Sequence, residues 1–539
     1  MLNFGINSVP KKTRKMDVRF PVLGENRGGA YAQEGPLFSS LKTKNVRNRG
    51  PLERRGRGGT RPMLTKYIDN DFGTTITGLE QVSYIDDDGN LQYDIVVIAD
   101  GNINVIQGVT ITTTISYLQT EAGAFITTEA GDFIIYQSTV AAVNPIGDSD
   151  SYSMVECGGK LYIASTALRV YDPRNGTVVP VTNAPASQPL VSEYQERIVV
   201  AGEDHMFYAS RQGDHEDWDF GDDKDDAGKA IAGFVGDSGR IGGTIKCMLN
   251  YKDKAFIMGT SDDLWVIYGA MSPNGGGKKQ NISHNVGIIA PRAATITPNG
   301  MLVFLSRDGL YTWQIGSDAE PQKFSANVIP QDLRDVSVTT NDISMVYDHK
   351  NEGINLFITP ATGVGENWWL DLEQRALFAD VYPATQQPLL ATQINMSGYS
   401  DVILASKDGY LRRHSNTVTT DDGTTMNSEL AFGPFHISHG NGMDGMITEI
   451  ISDLADNSSS VTWRILVADT AEEVADNAET AFAAAWAAGV HSSDTWTENH
   501  NRPKYPRSRG AWAVLWLSGT GRWSFESITL YTKQLGRLR

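Results

Sequence analysis

An all-β protein is the fold class that this sequence predicts, and three observations predict it. Short runs of Val, Ile, Phe, Tyr and Trp recur along the whole length. Glycine counts 53, against roughly 38 for an average chain of this size, as expected where many strands are joined by turns. The stretch from Ala471 to Gly489 is alanine-rich and reads as a short helix, and no comparable stretch accompanies it. At 539 residues the chain is too long for one ordinary core, and length alone suggests about two to four domains.

The body repeats a strand–turn–strand unit. The clearest copies are Val303 to Trp313, with Ser306-Arg307-Asp308-Gly309 at its turn, and Val402 to Leu411, with Ser406-Lys407-Asp408-Gly409. Looser copies span 96–103, 161–168, 198–205, 256–265 and 354–370. In each, a nearly all-apolar run precedes a small polar turn. Asp-Gly supplies the positive φ that a tight hairpin needs, and a run apolar throughout is buried on both faces. The turns fall near positions 100, 166, 204, 262, 308, 363 and 408. A repeat of roughly 40–50 residues carrying strands and aromatics is the mark of a β-propeller blade, so six to seven blades are expected over residues 67–416. Two packed β-sandwiches would use similar strands, but the near-identical turns at Asp308 and Asp408 favour the repeat. The long first gap holds its own small repeat, Glu121-Ala122-Gly123 and Glu129-Ala130-Gly131, read as a hairpin insertion near 110–145. From 417 to 428 the chain is polar and acidic, like a linker. Strands at 461–467, 511–517 and 523–531 then define an additional C-terminal β-rich domain, 417–539, of sandwich type.

Charge is uneven. Residues 1–66 hold 15 Lys+Arg and 4 Asp+Glu, a net +11, which leaves −29 on the rest of a chain whose total is −18. This opening segment is rich in Gly and Pro and has no helical or strand period, so it reads as an extended basic arm that orders against something acidic. Arg47, Arg49, Arg54, Arg55, Arg57 and Arg61 are its candidate docking residues, the partner being a neighbouring subunit or nucleic acid. Its Arg-Gly-rich piece, Arg55-Gly56-Arg57-Gly58-Gly59, lacks the interleaved aromatics that stack on bases. Removing 1–62 is expected to leave the body folded. No apolar core follows Lys11, Lys12, Arg14 and Lys15, which speaks against a signal peptide. Cys157 and Cys247 are too few for a disulfide scaffold and read as buried apolar residues in a reducing compartment.

No constellation points to catalysis, and an enzyme is not expected. Ser306, Asp308, Gly309 and Trp313 resemble the Asp-box of sialidase-type propellers, with the Gly one place early, and that box is structural. The acidic run from Asp214 to Asp226 lacks the spacing of a calcium loop. His436 and His439 sit among glycines and a proline rather than on a helix face. Gly275 to Lys279 misses the phosphate-loop spacing. No cofactor is expected.

Several islands resemble one family. They are Phe20-Pro21-Val22 with Gly24, Asn26 and Arg27; Asn45-Val46-Arg47; Arg57-Gly58-Gly59-Thr60-Arg61-Pro62; Tyr208 to Asp214 leading to Trp218; Gly259 to Gly269; Gly287 to Arg292; and Arg507, Arg509, Gly510 and Trp512. Met63 and His215 depart from the pattern. The chain resembles the tail nozzle (tail tubular protein B-like) proteins of short-tailed bacteriophages, the podoviruses. The resemblance implies a virion structural protein, assembled in the host cytoplasm as a homohexameric ring through which DNA exits. It implies contacts with tail adaptor and tail fibre or spike proteins, with double-stranded DNA in transit only, and with the host surface indirectly. Asp222, Asp223, Asp225 and Asp226 are candidates for a DNA-repelling lumen wall. The alternative is a propeller enzyme or sugar-binding propeller acting on host surface polysaccharide.

Overall fold

In the computed structural model the described chain omits residues 1–12, 19, 22, 27–38, 49–57, 74–75, 108–139, 146–150, 222–225, 238–239, 273–274, 326–332, 397, 439–442, 484–489 and 538–539. Seven four-stranded antiparallel sheets follow one another among the described residues. Blade 1 comprises Ile76–Ile85, Leu91–Ala99, Asn102–Ile106 and Val140–Pro145. Blades 2 to 4 begin at Ser153–Cys157, Leu190–Glu193 and Cys247–Tyr251, and blades 5 to 7 at Ala294–Ile296, Asn341–Asp348 and Pro388–Met396. Each of the seven turns read from the sequence lies between the second and third strands of one blade. The propeller expectation is met, with seven blades.

Period two explains why the second strands are apolar throughout. In blade 1, Ile95 and Val97 pack toward blade 7 with Ile403 and Ala405. Val96 and Ile98 point the other way, toward Leu161 and Ile163 of blade 2. Val199 and Ala201 of blade 3 likewise meet Phe256 and Met258 of blade 4, while Val200 meets Tyr162 and Ala164 of blade 2. Each blade is thus a sheet with two dry faces, as a radial stack requires.

The ring closes with an N-terminal strand. Met63–Asp71 pairs antiparallel with Tyr410–Ser415 as the outermost strand of blade 7. The propeller therefore begins before residue 67. Val140–Pro145 pairs with Asn102–Ile106 as the outer strand of blade 1, so this part of the expected insertion belongs to a blade. The repeat at 121–131 lies outside the described residues.

The C-terminal region forms a sandwich of two five-stranded sheets. One contains Met443–Leu454 and Phe525–Arg537, the other Asn427–His436, Val461–Ala468 and Trp512–Thr520. Leu430, Ile447, Ile450, Trp463, Leu515 and Ile528 fill the space between them. The helix runs Ala471–Ala483, and its buried Ala471, Val474, Ala475 and Ala478 pack on Val514 and Trp516 of the second sheet.

The opening segment corrects the expectation of an arm without a fold of its own. Thr13–Val18 is an edge strand against Phe525–Arg537, and Lys42–Lys44 is an edge strand against Asn427–His436. Between them Glu25 donates its backbone N–H to the Leu377 carbonyl at 2.8 Å, beside the outer strand of blade 6. Phe20 and Val46 join Trp369 and Phe378 of that blade in the core of the sandwich. The segment is a strap, pairing with both domains by long-range backbone bonds that no local pattern reveals.

Candidate functional site: the axial cavity and the buried seam

The seven inner strands surround a cavity of about 650 Å³ on the propeller axis. A first strand has no neighbour on its axial edge, so its free N–H and C=O groups need other partners. Side chains of adjacent blades supply many of them. Gln81 of blade 1 donates to the Asn395 carbonyl and accepts from the Asn395 N–H, both at 2.7 Å, across the ring closure. Ser153 Oγ serves both backbone groups of Val191 in blade 3. The Ser344 hydroxyl accepts from Ala391 N–H at 3.0 Å between blades 6 and 7.

Charged groups sit deep in this cavity. Glu80 accepts at Oε1 from its neighbour Gln81 N–H and from the Thr392 hydroxyl, each at 3.2 Å. Burial pushes its carboxyl up to about 7, against the opposing effect of those hydrogen bonds and of Arg292. Arg292 donates from Nη2 to the Tyr152 carbonyl. Burial lowers its affinity for the proton more than Glu80 and Asp342 raise it, so its positive charge is under-compensated. Lys246 and Glu193 line the same space. Glu193 is engaged by Asn250 Nδ2 at 2.8 Å and Glu196 N–H at 3.2 Å. Val338, 49% exposed, marks the rim.

The candidate docking arginines divide. Arg49, Arg54, Arg55 and Arg57 lie outside the described residues. Arg47 and Arg61 face inward and are bound within the chain, so for them the docking expectation is corrected. Arg47 pairs with Asp380 at 2.5 Å, donates to Asn355 and lies over the Trp369 ring. Arg61 is fully buried. It donates to both oxygens of Asp421 (3.0 and 2.6 Å), to Asn45 Oδ1 and to the Val381 and Pro62 carbonyls, and it stacks over Tyr382. Burial works against its charge, but Asp421 and Tyr382 outweigh that and hold its pKa above the ordinary value. Guanidinium geometry suits such a fork, and burial without those acceptors would be prohibitive. Asp421 also accepts from Leu64 N–H, and Asp422 pairs with Arg412 at 2.8 Å. The segment read as a linker is therefore a clamp.

Of the candidate wall, Asp222, Asp223 and Asp225 lie outside the described residues. Asp226 sits in the connection between the third and outer strands of blade 3 and does not line the axial cavity. It accepts from Gly228 N–H and pairs with Arg211 at 2.6 Å; those bonds hold its carboxyl below the usual range. The described acidic residues before it follow a local rule. Asp214, Asp217 and Asp219 each accept the backbone N–H two residues on, at Glu216, Asp219 and Gly221. These are Asx turns, which explains the spacing of aspartates through this loop. No group of three or more His, Cys, Asp and Glu is placed to hold a metal among the described residues. His436 stacks on Trp512, and His439 is outside the described residues. Asp308 binds Tyr311 and Lys323, a structural role. The clamp aspartates Asp380 and Asp421 were not singled out from the sequence; Asp380 is a lone acid in an apolar stretch, and Asp421, beside Asp422, reads as part of an acidic linker.

No protein-family model matches the chain, and no curated protein matches it. Among solved structures it is similar to a chain of the mitotic checkpoint complex (11% identity, 68% of this chain and 94% of that one, TM-score 0.38). It is also similar to the WD40 β-propeller domain of Doa1 (10% identity, 65% and 97% covered, TM-score 0.36). A third is the extracellular domain of a hybrid two-component system from B. thetaiotaomicron (11% identity, 76% and 47% covered, TM-score 0.39). The fold itself is established by the strand pairing: a seven-bladed propeller closed by its own N-terminal strand, to which these distant likenesses add no argument.

Proposed function

We propose that this chain is a structural protein of a phage tail, one subunit of a hexameric nozzle ring through which DNA leaves. One observation carries the reading beyond the family resemblance. The N-terminal residues that bear the resemblance converge on the seam between propeller and sandwich: Phe20, Gly24, Asn45, Val46, Arg47, Thr60 and Arg61 are packed or hydrogen-bonded there. Such residues fasten two domains into one rigid block, which a ring under load needs, and open no reaction site.

The DNA path then lies between subunits. An axial cavity of about 650 Å³ has the size of a small-molecule site and is too small to pass a DNA duplex. Heterologous contacts around a closed six-fold ring would leave the passage at the centre. The net −29 beyond residue 66 suits a wall that repels phosphates rather than holding them. Asp222, Asp223, Asp225 and Asp226 remain the wall proposal, and Arg49, Arg54, Arg55 and Arg57 the docking proposal. Negative-stain imaging of the purified chain, alone and with tail adaptor proteins, tests the reading. Six-fold rings with a central hole are expected; a monomer that neither self-associates nor joins the adaptor would refute it.

A further inference from the structure

We propose that the axial cavity of the propeller binds a small polyhydroxylated anion of about monosaccharide size, held by Arg292 and Lys246. The site belongs to each chain separately and stands whether or not the nozzle reading does.

Size and access come first. About 650 Å³ falls within the roughly 300–1,000 Å³ typical of small-molecule sites. The cavity reaches solvent at Val338, so a ligand can enter without unfolding.

Charge selects the ligand's sign. Arg292 uses Nη2 on the Tyr152 carbonyl, and its Nε and Nη1 make no hydrogen bond among the described residues. That leaves one edge of the guanidinium for a carboxylate or phosphate, the geometry Arg recognises best. Lys246 lines the same space, and among the described residues its ammonium has no partner. Glu80 and Glu193 match these cations in number, but they are already supplied with hydrogen-bond partners. Glu193 already accepts from Asn250 and Glu196. Glu80 directs Oε1 to Gln81 and Thr392 rather than to Arg292, and burial raises its pKa to about 7, so that it carries only part of a negative charge at that pH. The remaining acids acting on this pair are engaged or outside the cavity lining: Glu156 accepts from Ser83, and Asp342 acts on Arg292 from beyond the lining. Among the described residues, the charged lining groups that keep unused hydrogen-bond donors are therefore the two cations.

The rest of the lining selects hydroxyl groups. Ser192, Ser344 and Thr392 place hydroxyl groups on the wall beside the backbone of the first strands. Such a lining suits an anion that also carries several hydroxyls.

Calorimetry on the full chain at pH 7 and low salt tests this with four probes: glucuronate, glucose 6-phosphate, inorganic phosphate and glucose. One site per chain is expected for glucuronate, glucose 6-phosphate or both, and the one that binds tells a carboxylate source from a phosphate source. Glucose should bind at least ~10-fold more weakly, because it lacks the charge that Arg292 and Lys246 pair with. Lys246→Ala, which removes a side chain with no partner, should leave the melting temperature unchanged and weaken binding by about 3–10-fold. Arg292→Lys should weaken it about 10-fold or more, because the fork is lost while the charge stays. The proposal is overturned if neither sugar anion binds at about 10 mM, if glucose binds equally well, or if both variants bind as the parent does. Inorganic phosphate matching the sugar anions would overturn the hydroxyl part.

Discussion

Asp421→Ala should be among the most damaging single substitutions in the chain. The side chain is 1% exposed and faces a guanidinium that is 0% exposed. Its removal breaks two charge-assisted bonds to Arg61 and the cap on Leu64 N–H. Each charged bond contributes about 1.5–3 kcal/mol, and the stranded Arg61 charge adds its own desolvation cost. Breaking one side of a buried ion pair typically costs about 3–5 kcal/mol, and that is the magnitude expected here. Urea unfolding followed by tryptophan fluorescence reads it, since Trp369 and Trp523 lie in the core beside the strap. Asp421→Asn is the control: it keeps the shape but loses the charge, so a similar loss assigns the effect to electrostatics. Arg61→Met alone should also destabilise, and the double variant should lose about 1–3 kcal/mol less than the two single losses combined. A loss below about 1 kcal/mol for Asp421→Ala, or strict additivity, would refute the clamp.

Other consequences are equally direct. Gly24 has φ +69°, and a Cβ there would stand 2.3 Å from the Leu377 carbonyl oxygen, so Gly24→Ala should cost about 2 kcal/mol or more, read as a lower melting temperature. Deleting residues 1–62 removes two sandwich strands with Phe20, Val46, Arg47 and Arg61; size-exclusion chromatography should show aggregation, and a monodisperse, cooperatively melting product would contradict the strap. Glu80 is an acid whose pKa is raised from 4.5 to about 7, so the folded state holds a proton that the unfolded state has released. Its penalty is absent below about pH 4.5, grows as pH rises, and is complete above about pH 7. Glu80→Gln should therefore be more stable than the parent at pH 8 by on the order of 1–3 kcal/mol and equal to it near pH 4; equal stability at pH 8 would argue against a deep carboxyl.

What the sequence discloses and what it hides follow from the range of the interactions. The seven hairpin turns were legible because each is written in adjacent residues: an apolar run dry on both faces, a turn such as Asp408-Gly409 with Gly409 at φ +80°, then a second run. The helix at Ala471–Ala483 was legible for the same reason. The strap was not. Asp17 meets Thr529 across 512 positions, and Thr43 meets Ala379 across 336. Edge strands of two to six residues leave almost no periodic signature. Composition misled further, because the arginines that gave the segment its basic character include two that are buried. Arg47 and Arg61 are soluble in the interior only because Asp380 and Asp421 await them, and both acids lie more than 300 residues away. A positive segment on a negative body does seek acidic partners, as its charge implies; for Arg47 and Arg61 those partners lie in the same chain. An intramolecular strap forms at an effective concentration that no neighbouring subunit matches easily. Arg49, Arg54, Arg55 and Arg57 lie outside the described residues and are the informative set to neutralise. Replacing these four with Gln should leave the melting temperature of the isolated chain unchanged while weakening its joining to neighbours or adaptor in a salt-sensitive way, since salt screens attraction between solvated charges over roughly 8–10 Å. Unchanged assembly at low salt would remove the docking role from this segment altogether and leave it a fastener alone.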